Sequence, residues 1–160
     1  KNKKNVLDLK KNIVSEAIYK SILIKKNYVL KDEKEKLKNK NSRAILNFGH
    51  TFGHALESYY NYNKKLTHGE AISIGMIIAS TLSYKLNYLS LFNLNRIKHH
   101  FKINHLSMID IKMYDSKIFK IIEKDKKNLN KNINFILLKD IGSAFISNKL
   151  TIDKIKKILI

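Results

Sequence analysis

The chain has 160 residues, 44% of them hydrophobic, and a formal net charge of +19 from 32 basic and 13 acidic side chains. This length suits one modest domain with a real core, and no apolar run is long enough to span a bilayer. The absence of cysteine excludes disulfide staples and thiolate metal sites and fits a cytoplasmic location.

The charge itself is a weak guide. Thirty of the 32 basic residues are Lys; only Arg43 and Arg96 are Arg. Surfaces that read bases lean on bidentate Arg. Lys, Asn and Ile together make 72 of the 160 residues, and all three have A/T-rich codons. The excess therefore reads as compositional drift on tolerant surface positions, and neither nucleic acid nor membrane is expected as a partner. Against this background a lack of Lys is informative. Residues 41–84 hold only Lys64 and Lys65, yet carry Gly49, Gly53, Gly69 and Gly75. A core or an active site would resist drift in that way.

In chain order, Val6, Leu9, Ile13, Ala17, Ile18, Ile22, Ile24 and Val29 recur at helical spacing, so residues 6–30 are expected to be helical. Residues 34–42 are polar and read as a loop or a frayed end. Residues 44–60 predict a second helix, 61–67 a connection, and 69–86 a third helix. The third is apolar or small nearly all round over 71–82, as in a central buried helix. Residues 90–101 and 116–124 predict further helices. Then Ile133, Phe135 and Leu137 alternate, Asp140 to Ser143 supply turn residues, and Ala144 and Ile146 follow, which predicts one small β-hairpin near 133–147. Thr151 caps a closing helix with Asp153 in its first turn. The expected fold class is mostly α, a single multi-helix domain over 1–160.

At 100° per residue, Arg43, Asn47, His50, His54 and Glu57 fall on one line of the second helix, because their spacings are 4, 3, 4 and 3. Ile45, Phe48, Phe52, Ala55, Leu56 and Tyr59 fall opposite, and the line Ile45, Phe48, Phe52 and Leu56 is expected to pack on the third helix. A solvated face in this chain should be rich in Lys, and this one has none. Gly53 sits mid-helix at a cost of roughly 1 kcal/mol relative to Ala, which suggests close approach of a backbone or ligand. Two His at i and i+4 can share a metal or split roles, and the spacing does not decide. His68, at the mouth of the third helix, is a further candidate ligand or else a helix cap. His99, His100 and His105 lie in a Lys-rich segment and read as surface residues.

The run Leu46-Asn-Phe-Gly-His-Thr-Phe-Gly-His-Ala-Leu-Glu57, followed by His68-Gly-Glu-Ala-Ile-Ser-Ile-Gly-Met76, closely resembles the 3-dehydroquinate synthase family. Lys25 to Glu35, before Arg43, and Asp125-Lys126-Lys127, before the hairpin, resemble further family segments. The chain is similar to the helical C-terminal, metal- and substrate-binding domain of that two-domain enzyme. Nothing in it resembles the nucleotide-binding α/β domain that normally precedes, and residue 1 is Lys, so it reads as part of a longer product.

The resemblance implies zinc (or another divalent metal such as cobalt) and NAD as cofactors, with NAD held mainly by the N-terminal domain. It implies a sugar-acid phosphate substrate and a homodimer at full length. His50 and His68 match the metal-binding histidines. His54 matches a substrate-contacting, proton-transferring histidine. Arg43 and Asn47 match substrate-binding positions, Asn47 also a catalytic one, and Lys25 a catalytic lysine. Lys126 and Lys127 are expected to meet the substrate's anionic groups. The family's third metal ligand is a Glu on an earlier helix. Glu16 superficially matches it but lies only 34 residues before His50, and is judged a decoy. Extra residues over 36–41 bear on how Lys25 and Arg43 are set. The alternatives are another sugar-phosphate cyclase, such as a 2-deoxy-scyllo-inosose synthase, or a non-catalytic basic helical domain. This chain alone is expected to be inactive.

Overall fold

Side-chain caps set several helix starts. Thr67, Ser90 and Thr151 each adopt extended backbone, and each side chain accepts the N–H three residues on, from Glu70, Asn93 and Lys154. Thr67 and Glu70 complete a capping box. The computed structural model describes residues 3–62, 66–106, 115–129 and 133–160. They group into two compact units, Lys1–Leu46 and Asn47–Ile160.

In the first unit the expected helix over 6–30 is two helices, α1 (Lys3–Leu7) and α2 (Lys11–Lys31). The break falls at Leu9, whose φ of 53° is left-handed and cannot continue a right-handed helix. No residue of α2 is buried, and Ile18, Ile22 and Ile24 are all more than half exposed. Beyond α2 a buried carboxylate organises the loop. Asp32 Oδ1 accepts the N–H of Lys36 (2.8 Å) and of Leu37 (3.1 Å). Its Oδ2 accepts the Ser42 hydroxyl (3.2 Å) and the Arg43 N–H (3.0 Å). Burial works to raise the Asp32 pKa, but these four donors together hold it below the ordinary aspartate range.

The second unit contains α3 (His50–Tyr59), α4 (His68–Lys85), α5 (Leu91–Ile103), α6 (Ser116–Leu129), strands β1 (Phe135–Asp140) and β2 (Ser143–Ser147), and α7 (Ile152–Leu159). The hairpin is antiparallel, with Phe135 opposite Ser147 and a register shift between Leu138 and Asp140. The core draws Phe52, Ala55 and Leu56 from α3 and Ala71, Ile78, Ala79 and Leu82 from α4. Ile118 and Phe119 come from α6, Phe135 and Leu137 from β1, and Ile155 and Leu159 from α7. As expected, α4 is central, contacting α3, α5, β1 and α7. The buried Ser83 hydroxyl ties the hairpin to it, donating to Ala79 O (2.6 Å) and accepting the Leu138 N–H (3.0 Å).

The predicted single helix over 44–60 needs correction. Arg43–Asn47 forms a 3-10 turn, and α3 starts afresh at His50. Between them Gly49 has φ +85°, which no side chain adopts cheaply. The reason is tertiary. A Cβ on Gly75 of α4 would run into Gly49 O and come within 2.8 Å of Gly53 N, so the start of α3 lies directly on the α4 backbone. Gly53 serves the same crossing, since its Cβ would meet Ile72 Cδ1 at 2.7 Å and Ala71 O at 3.1 Å.

Candidate metal centre

Because a new helix starts after Gly49, three of the five residues on the predicted line share one α-helix. His50, His54 and Glu57 share one face of α3 and belong to one helix. Arg43 and Asn47 lie on the 3-10 turn instead. The glycine crossing brings that face of α3 to the first residue of α4, His68. His68 is not the cap of this helix: Thr67 is, and the capping box satisfies the N–H groups of Glu70 and Thr67.

Three imidazoles therefore gather. Ring centroids are 5.3 Å apart for His50 and His54, 6.1 Å for His50 and His68, and 6.0 Å for His54 and His68. Glu57 closes the group. Its Oε1 lies 2.9 Å from His68 Nδ1, and ligand atoms of His54, Glu57 and His68 all lie within 4.8 Å of one another. His50 Nδ1 faces Phe48 O at 3.4 Å. Burial depresses the His50 pKa below the ordinary imidazole range, and the neighbouring His54 and His68 push the same way against the Phe48 carbonyl. A neutral imidazole keeps a free lone pair. Imidazoles with one carboxylate are a donor set for a borderline divalent cation.

The other expected site residues stand as follows. Lys25 is exposed on α2, in the first unit. Arg43, also in that unit, is half-buried. Its backbone is held by Asp32, and its Nη1 donates to Glu33 O at 3.2 Å. Asn47 is exposed. Lys126 and Lys127 fall in the α6 range, but their side chains lie outside the described residues. Glu16 is exposed and paired with Lys20 one helical turn away. His99, His100 and His105 are exposed, as expected. Glu57 was on the predicted line without a role of its own; its spacing of three from His54 was the available signal.

The model of the 3-dehydroquinate synthase C-terminal family matches residues 1–128. A 3-dehydroquinate synthase of Helicobacter pylori (strain P12) is 40% identical over 153 residues, covering 93% of this chain and 42% of the relative. That of Clostridium perfringens (strain SM101 / Type A) is 43% identical over 146 residues, covering 91% and 40%. This chain thus spans about two fifths of the length of these relatives. Among solved structures, a 2-epi-5-epi-valiolone synthase from Streptomyces hygroscopicus subsp. jinggangensis 5008, with NAD+ and Zn2+ bound, superposes with a TM-score of 0.75 at 18% identity. It covers 99% of this chain and 44% of that one. A 2-deoxy-scyllo-inosose synthase complexed with carbaglucose-6-phosphate, NAD+ and Co2+ gives 0.59 at 26% identity, covering 79% and 35%. The mostly helical fold with one hairpin is the fold of these cyclases over the matched part. With the family model matched from residue 1 to residue 128, the chain belongs to the 3-dehydroquinate synthase C-terminal family.

Proposed function

We propose that residues 1–160 are the metal- and substrate-binding domain of a 3-dehydroquinate synthase. In the shikimate pathway this enzyme converts 3-deoxy-D-arabino-heptulosonate 7-phosphate to 3-dehydroquinate and phosphate. The observation that carries the reading is the histidine cluster at the α3–α4 crossing. Two imidazoles on one tetrahedral zinc, at Zn–N of ~2.0–2.1 Å, have ring centroids about 5 Å apart, so all three observed separations are within small side-chain rotations of a shared ion. The donor set therefore fits zinc, or cobalt in its place.

His50 and His68 are the proposed ligands. Each has Nδ1 facing an oxygen, Phe48 O for one and Glu57 Oε1 for the other, which leaves Nε2 for a metal. His54 has no such partner among the described residues, which suits a group that exchanges a proton with substrate. When bound, zinc supplies Lewis acidity toward a substrate hydroxyl, and NAD takes up and returns a hydride. Arg43, Asn47 and Lys25 are assigned to the substrate, with Lys126 and Lys127 on its anionic groups, where paired cations favour carboxylate and phosphate.

The NAD site and a third metal ligand are assigned to an N-terminal domain. A homodimer and a cytoplasmic location belong to the same proposal, on the family resemblance. For location, the structure adds that no helix among the described residues is long and apolar enough to cross a membrane. The greater identity to 3-dehydroquinate synthases than to the two other cyclases favours this substrate over theirs.

The test is an assay of the purified chain with substrate, zinc and NAD, alone and with a separately made N-terminal half of a related synthase. No turnover is expected from the chain alone, and restored turnover that His50→Ala abolishes is expected from the mixture. Turnover by the chain alone would refute the division of labour. Turnover by the mixture that survives His50→Ala would refute the metal assignment.

A further inference from the structure

Glu57 is an unusual carboxylate. Its side chain is 14% exposed, whereas that of its partner His68 is 62% exposed. A mostly shielded carboxylate needs a donor, and the hydrogen bond described for this one comes from His68 Nδ1, at 2.9 Å. Both residues are anchored by backbone. Glu57 lies in the third turn of α3, pinned by Phe52 and Leu56 in the core, and His68 is held as the first residue of α4 by the capping box. The pair spans the two helices whose crossing builds the cluster.

The two nitrogens of an imidazole point from different sides of the ring. Nδ1 bonded to Glu57 carries its hydrogen, and the lone pair is then on Nε2. A carboxylate in that position stands behind the ring, away from an ion held at Nε2. An isolated neutral imidazole prefers the opposite tautomer, with hydrogen on Nε2, so without the carboxylate His68 must change tautomer before it can ligate through Nε2. We infer that Glu57 is a positioning residue for the metal centre, fixing the tautomer and orientation of His68, and is not itself a metal ligand. This rests on the proposed role of His68 as a ligand.

The experiment uses the 160-residue chain with Co2+ as probe, and nitrogen NMR of its histidines without metal at a pH where they are neutral. Glu57→Gln keeps an oxygen that accepts from Nδ1–H, and Glu57→Ala removes it. Glu57→Ala is expected to weaken Co2+ binding about 10–100-fold with the visible spectrum of the bound ion unchanged, while Glu57→Gln retains most of the affinity. In the metal-free chain His68 is expected as Nδ1–H in the parent and in Glu57→Gln, and as Nε2–H in Glu57→Ala. A spectrum altered alike by both substitutions would make Glu57 a ligand and overturn the proposal. So would a tautomer and an affinity that Glu57→Ala leaves unchanged. His68→Ala separates the two levels. If Co2+ binding survives His68→Ala, the metal reading itself falls. If binding is lost there but is indifferent to Glu57, only the positioning role falls.

Discussion

Replacing Gly75 by Ala sets two effects of known sign against each other. In a helix interior the change should help, by up to about 1 kcal/mol, because Gly loses more backbone entropy on folding than Ala. At this position the new Cβ would overlap Gly49 O and lie 2.8 Å from Gly53 N. Both obstacles are backbone, so no side chain can swing aside. The start of α3 must move off α4, and overpacking of this kind costs typically 1–3 kcal/mol, occasionally more. Separating the helices also loosens Phe52, Ala55 and Leu56 against Ala71, Ile78 and Ala79. The clash should win, with a net loss of about 1–3 kcal/mol. Gly69 is the control. It lies in the first turn of the same helix with nothing within 4 Å of an added Cβ, so Gly69→Ala should be neutral or slightly stabilising. Urea unfolding followed by circular dichroism compares the two against the parent. Co2+ titration should show weaker binding in Gly75→Ala alone, because His50 and His54 move with α3 and His68 stays with α4. Equal stability of the two variants would refute the close crossing on which the cluster depends.

Three further outcomes are expected. Phe52→Ala should cost roughly 3–5 kcal/mol in the same unfolding assay, since the ring is 2% exposed and packs 5.8 Å from that of Phe135; a loss below about 1 kcal/mol would put Phe52 outside the core. Ser83→Ala should cost about 1–3 kcal/mol by leaving the buried Leu138 N–H without its acceptor, read as faster hydrogen exchange at Leu138 as well as lower stability. Asp32 has a depressed pKa, so its contribution is present above the ordinary aspartate pKa of about 3.9 and is lost as pH falls through the folded value. Stability measured from pH 5 downward should therefore fall less steeply in Asp32→Asn than in the parent, and identical slopes would remove Asp32 as the loop's organiser.

Features encoded within a few residues could be read directly. The start of α7 followed from Thr151, whose oxygen bonds the Lys154 N–H; Thr67 and Ser90 cap α4 and α5 in the same way, which the spacing alone did not single out. The hairpin followed from alternation around Asp140 to Ser143. Centrality of α4 followed from its nearly uniform apolarity, and the spacing of His50, His54 and Glu57 put them on one face. The family, too, was legible in two short motifs.

Other features depended on chain segments far apart in sequence. Gly49 lay inside the predicted helix over 44–60; its place at a helix start goes with Gly75, 26 residues on, whose lack of a Cβ lets the two backbones meet. Arg43 and Asn47 lie on a separate 3-10 turn, so the periodicity of one α-helix does not extend to them. The apolar residues of α2 have helical spacing, but spacing cannot say whether a partner covers them, and within their own unit Ile18, Ile22 and Ile24 stay more than half exposed. Glu57 was visible as a charge at the right interval from His54. Its bond to His68 exists only because the α3–α4 crossing places the third turn of one helix beside the first residue of the next. Sequence periodicity orders side chains around a helix axis, whereas the distance between two axes is set by the smallest residues at their contact, and here those are glycines.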